Sequence, residues 1–141
     1  MKRISLLSIS ICLVMFVCAG WKQQPGIDKA TMTRGEAVYK TQCLSCHQID
    51  GGGVPHLNPP LAECSYVVGD KSRIIKIVLK GMIDRVEIDG EFYGNNMSPH
   101  NDLTNQQIAD VLTYVRNSFG NKASAVTVAE VKAVREGKSK K

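Results

Sequence analysis

The chain has 141 residues, of which 43% are hydrophobic, 22% charged and 6% aromatic, with a formal net charge of +5. That length suits one compact domain. The charge does not mark a nucleic-acid binder: Lys2 and Arg3 stand at one end, five basic residues face only Glu136 over 132–141, and residues 20–131 carry 11 basic and 12 acidic side chains.

The first element reads as a targeting segment. Lys2 and Arg3 precede an uncharged apolar stretch from Ile4 to Val17, too short to span a bilayer as a stable helix. This is the layout of a secretory signal, with small residues for cleavage after Ala19 and a signal over 1–19. The alternative is a lipoprotein signal over 1–17, with Cys18 becoming a lipid-modified anchor and Gln23-Gln24-Pro25-Gly26 a tether. Both imply a periplasmic or extracytoplasmic location. Residues 20–30 read as a linker.

Thr33-Arg34-Gly35-Glu36 has the pattern of a capping box and predicts a helix from about Arg34 to Cys46. That helix runs into Cys43-Leu44-Ser45-Cys46-His47. A Cys-x-x-Cys-His run reads as a c-type haem attachment site. Two thiols three residues apart near a helix end share a face, where each can add to one vinyl group of a porphyrin. His47, four residues after Cys43, returns to that face. The competing readings are a redox dithiol, which wants a preceding strand, and half of a zinc site, for which His56, Cys64 and His100 are too scattered. With Cys43 and Cys46 consumed, Cys64 reads as a small buried apolar residue.

Asp50-Gly51-Gly52-Gly53 breaks the chain after the motif, and Pro55, Pro59 and Pro60 keep the next loop extended. Asp70 caps a predicted helix over Lys71–Lys80, with Ile74, Ile77 and Val78 on its apolar stripe and Gly81 as its stop. Val86-Glu87-Ile88 and Glu91-Phe92-Tyr93 flank Asp89-Gly90, the signal of a small hairpin near 86–93. Asp84, Glu87, Asp89 and Glu91 read as solvated hairpin charges, with a docking patch as the sharper alternative. After the Asn95–Pro99 loop, Thr104 and Gln107 open a capping box. Ile108, Val111, Leu112, Val115 and Phe119 then line one helix face up to Gly120-Asn121. Thr127-Val128-Ala129-Glu130 begins a short terminal helix on which Val128, Val131 and Val134 can pack, within a C-terminal segment 121–141 that ends in a basic tail. The domain proper, over 31–120, is mainly α.

His47 supplies one axial position of an iron. For the other, Met97 is the first choice, because a methionine in a polar Asn/Ser/Pro loop has no packing reason to be there. Met32, at a helix entrance, and Met82, after a helix stop, read as packing residues. His100 is the nitrogen alternative, His56 is too near His47 in sequence, and an open position is the third case. A thioether favours the ferrous state relative to a second histidine.

Taken together, these residues resemble the class I cytochromes c over about Thr33 to Gly120. The resemblance rests on the Cys43-x-x-Cys46-His47 run, Gly53-Val54-Pro55, Pro59-Pro60-Leu61, Met97 and the stretch from Leu103 to Arg116. It is strongest to small bacterial cytochromes or cytochrome domains that serve periplasmic dehydrogenases, terminal oxidases and copper nitrite reductases. It implies an all-α fold of three to five helices around one covalently bound haem c, with terminal helices crossing near Gly35 and Tyr114 and an aromatic contact from Tyr39. It also implies a one-electron carrier with redox protein partners and no catalytic acid or base. The family commonly has proline directly after the methionine, whereas Ser98 here precedes Pro99. Its haem histidine is oriented by a proline carbonyl, for which Pro55, Pro59 and Pro60 are the candidates.

Overall fold

The computed structural model describes residues 27–138; the expected signal over 1–19, with Cys18, and most of the expected linker lie outside them, as does the end of the basic tail. Six helices and one hairpin make up the described chain. Helix α1 spans Lys29–Gln42, and a single turn, α2, covers Leu44–His47. A second single turn, α3, covers Ser65–Val68 and leads into α4 over Lys71–Lys80. Strands β1 (Val86–Ile88) and β2 (Glu91–Tyr93) pair antiparallel before α5 (Asn105–Val115) and α6 (Val128–Arg135). Among the described residues no helix is long and apolar enough to cross a membrane.

Helix α1 begins earlier than the Thr33 box suggests. Asp28 is the cap, its carboxylate accepting the Thr31 N–H at 2.7 Å. Aspartate is the stronger cap, and Lys29, Ala30 and Met32 all propagate a helix, so the earlier start prevails. Thr33 instead donates its hydroxyl to the Lys29 carbonyl, while Glu36 pairs with Lys40 at 2.6 Å. The start of α4 is as expected: Asp70 accepts from the Ser72 and Arg73 N–H groups, and Gly81 ends the helix at φ 72°. At the hairpin turn Asp89 and Gly90 both take positive φ, 54° and 88°. The expected capping box forms at Thr104/Gln107, and Thr127 and Glu130 form another at the start of α6.

The central packing event is the crossing of α1 on α5. Gly35 lies against the Asp110 carbonyl and the Tyr114 Cβ, and any side chain at 35 would collide with both. Beside it Arg34 donates Nε to Asp110 Oδ2 at 2.7 Å, and Gln106 donates to Oδ1 of the same carboxylate at 2.9 Å. Tyr39, Tyr114 and Phe119 form an aromatic triad with centroid separations of 5.2 to 5.7 Å.

Helix α5 stops at Val115, four residues short of the apolar stripe that ends at Phe119. Phe119, beyond the helix end, takes φ 57°, and its ring completes the triad. Arg116 is the C-cap of the helix. It is 2% exposed, and its guanidinium donates to the carbonyls of Val67, Gly69 and Ser124. One cation thereby ties α3 and its C-cap to the connection that leads to α6. Helix α6 then lays Val131 and Val134 into the core, with Val128 left partly exposed.

Candidate haem site

The haem motif sits where α1 gives way to α2. The Cys43 N–H closes the last turn of α1 on the Tyr39 carbonyl, and the His47 N–H bonds to the Cys43 carbonyl at 2.9 Å. The chain then turns sharply, with Gln48 at φ 63° and its carbonyl accepting the Tyr39 hydroxyl. Residues 43, 46 and 47 are thus fixed by a continuous hydrogen-bonded run and by the aromatic triad beneath it.

The prolines are resolved by the loop that follows. The Gly53 N–H bonds to the His47 carbonyl, and Val54 and Asn58 bridge each other through paired backbone bonds. This compact turn brings the Pro59 carbonyl to 3.0 Å from His47 Nδ1. A carbonyl can only accept, so Nδ1 carries the proton and Nε2 keeps its lone pair. Burial pushes the His47 imidazole below its ordinary pKa, against the raising effect of the Pro59 bond, and the nearby His100 adds to the lowering. Pro60 borders the same cavity, whereas Pro55 lines a separate groove with His56, Glu91 and Tyr93.

His47 opens onto a cavity of about 320 Å³ whose wall includes Cys43, Cys46, Met82, Met97 and His100. Cavities of this order accommodate cofactors. The apolar part of the wall includes residues of α4 (Ile74, Ile77, Val78), the hairpin (Ile88) and α5 (Val111, Val115). Cys46 is exposed and Cys43 half-buried; burial pushes the Cys43 thiol up to about 11. Cys64 is 2% exposed and also borders the cavity, as the packing reading expects.

The competing readings of the motif fare less well. A helix, not a strand, leads into Cys43, and among the described residues no group of three or more His, Cys, Asp or Glu side chains could hold a metal ion. A donor set of two thiols, one imidazole with a fixed tautomer and thioethers around an apolar cavity fits a covalently held tetrapyrrole.

Met97 is held in a way its loop composition does not reveal. It forms an isolated antiparallel bridge with Met82, whose N–H bonds to the Met97 carbonyl at 2.9 Å; the Met97 N–H returns to the Met82 carbonyl at 2.8 Å. The His100 N–H bonds to the Val78 carbonyl at 2.8 Å. Met82 therefore belongs to the cavity wall and is not remote packing. Met32 lies within α1 and does not border the cavity.

The family model for cytochrome c matches residues 32–119. The chain belongs to the cytochrome c family. It is an electron-transfer protein of the class I type, with the mainly helical fold and covalently bound haem c of that family. It is 32% identical over 113 residues to cytochrome c-552 of Thermus thermophilus, covering 74% of this chain and 86% of that one. It is 34% identical over 112 residues to the cytochrome c subunit of the quinone alcohol dehydrogenase of Gluconacetobacter polyoxogenes, and 33% over 127 residues to the cytochrome c subunit of the gluconate 2-dehydrogenase of Pantoea cypripedii. These matches cover 72% and 82% of this chain but 22% and 26% of the two subunits. The cytochrome thus spans about a quarter or less of the dehydrogenase subunits it resembles. Cytochromes c of this kind have redox protein partners and are typically periplasmic or extracytoplasmic.

Proposed function

We propose that this cytochrome is an exported single-haem carrier whose iron is closed by His47 and Met97. Cys43 and Cys46 would provide the thioether attachments, and His47 Nε2 and the Met97 sulfur would hold the iron. When bound, the haem supplies one-electron exchange between ferric and ferrous iron. The chain's own part is to hold both ligands still. Pro59 fixes the histidine tautomer and ring plane, which raises ligand basicity. The Met82 bridge holds the Met97 backbone, and the apolar wall from α4, β1 and α5 keeps water from the ring. Little then rearranges between the two oxidation states.

The single observation that carries this reading is the convergence of Cys43, Cys46, His47 and Met97 on one apolar cavity. Residues 1–19 serve as the export signal, with lipidation of Cys18 as the alternative that would anchor the protein to the outer face of the membrane. The test is an absorption spectrum of the exported, haem-loaded protein. Thioether-bound haem must stay with the chain in denaturant, and the oxidised form must show the weak near-infrared sulfur-to-iron band. Loss of haem in denaturant contradicts attachment; absence of the band contradicts Met97.

A second reading is favoured by the names of the relatives: the chain serves as the electron-accepting subunit of a dehydrogenase. Oxidase and nitrite reductase partners remain further members of the same class. Co-purification of a large flavin- or quinone-containing subunit from gently solubilised membranes supports this second reading, and recovery of the chain alone opposes it.

A further inference from the structure

Met82 and Met97 are paired directly across the bridge, and both residues border the haem cavity. The pair exchanges both N–H···O bonds, which defines the hydrogen-bonded type of antiparallel pair with Cα atoms about 5.5 Å apart. Directly opposed residues in such a pair project to the same face. The two thioethers are therefore neighbours on one wall. We propose that Met82 is a reserve axial ligand, able to take the iron position when the Met97 sulfur is lost, so that the haem stays six-coordinate. This rests on the reading in which Met97 is the resident ligand.

Three features of the chain support it. The bridge is built in: Gly81 packs so closely on the Met97 carbonyl and the Pro99 nitrogen that a Cβ at 81 would collide with both. The same segment is tied to α4 on its other side by the bond from His100 N–H to the Val78 carbonyl. Losing the Met97 sulfur therefore leaves the Met82 backbone in place. Methionine also has three rotatable side-chain bonds, so an exchange needs rotation of a side chain and no refolding of the loop. Met32, the remaining methionine of the described chain, lacks this access. A packing role alone would be met equally well by leucine.

The experiment compares the haem-loaded parent with Met97→Ala, Met82→Leu and the double variant, reading the sulfur-to-iron band when oxidised and carbon monoxide binding when reduced. The band should persist, shifted, in Met97→Ala, persist in Met82→Leu, and vanish only in the double variant, which should then bind carbon monoxide rapidly. Loss of the band in Met97→Ala overturns the reserve role and leaves the His47/Met97 reading intact. A change to bis-nitrogen ligation in that variant gives the position to His100 and overturns it likewise. Loss of the band in Met82→Leu alone would make Met82 the resident ligand and sink both readings, as would a parent without the band.

Proton spectra of the reduced parent cover the case in which a variant fails to load haem. The Met82 methyl, labelled selectively, should be displaced upfield by the porphyrin ring current. A Met82 methyl at the ordinary methionine position overturns the proposal.

Discussion

Arg34 and Asp110 join α1 to α5 through two contacts, Nε to Oδ2 at 2.7 Å and a guanidinium nitrogen to Oδ1 at 3.1 Å. Asp110 is 3% exposed while the Arg34 side chain is half exposed, so the carboxylate depends on its partner and the arginine does not. Removing the arginine leaves the buried carboxylate with Gln106 as its remaining side-chain donor, whereas the double change removes the buried charge as well. Arg34→Met should therefore lower the thermal midpoint more than the double variant Arg34→Met/Asp110→Asn. An additive outcome in calorimetry would show that the pair is not coupled.

Gly35 supports the same crossing by the absence of a side chain. Gly35→Val must push α1 away from the Asp110 backbone, and overpacking against backbone costs about 3 kcal/mol or more. Chemical denaturation should show that loss, with the Tyr39–Tyr114–Phe119 triad loosened in near-ultraviolet circular dichroism. A loss within about 0.5 kcal/mol, the range of an ordinary surface change, would mean that the crossing is looser than described.

Arg116 is a buried cation whose hydrogen-bond partners are the Val67, Gly69 and Ser124 carbonyls and the Ser124 hydroxyl. Burial lowers its pKa, countered by Glu130 and Asp70 at longer range. Arg116→Leu leaves the Val67, Gly69 and Ser124 carbonyls without this donor and should cost about 2 to 3 kcal/mol. Arg116→Lys should recover only part, because an ammonium cannot reproduce the planar fork. Equal stability of the lysine variant and the parent would remove the geometric argument.

Glu130 gives α6 an acid-sensitive hold. Burial raises its pKa, but the Thr127 N–H and hydroxyl and Lys71, at 3.0 Å, outweigh that and leave it below the ordinary carboxylate value. A carboxyl depressed in the folded state contributes stability above its unfolded pKa, and that contribution is lost as pH falls through the folded value. Glu130→Gln should thus be less stable than the parent at neutral pH, and the difference should close on acidification below the usual glutamate range. A difference independent of pH would assign the effect to the cap alone.

Much of this architecture is legible in the sequence because it is local. Asp70 with Gly81, Asp89-Gly90 and the Thr104/Gln107 pair lie within one helix or one turn, and each forms as its pattern dictates. Misjudged boundaries occur where a local signal met a stronger competitor. Thr33 lost to Asp28, and the Ile108–Phe119 stripe outruns α5, which ends at Val115 with Phe119 at positive φ. Helix α3 is a single turn, too short to leave a periodic pattern.

The site divides along the same line. Cys43, Cys46 and His47 are adjacent in the chain, so their chemistry is visible at once. Of the three prolines, Pro59 is singled out only by the Gly53–Asn58 turn that aims its carbonyl at His47. Met82 was masked because it directly follows a helix stop, and its partnership with Met97 spans fifteen residues that include the whole hairpin. No local pattern encodes a bridge of that reach.

Carbon monoxide added to the reduced, haem-loaded protein at neutral pH checks the proposal that the iron is closed on both sides. No binding on mixing and an unaltered ferrous spectrum are expected if His47 and a thioether hold both axial positions, as proposed. Rapid formation of a carbon monoxide adduct by the unmodified protein would contradict it and make this cytochrome an open-site haem protein.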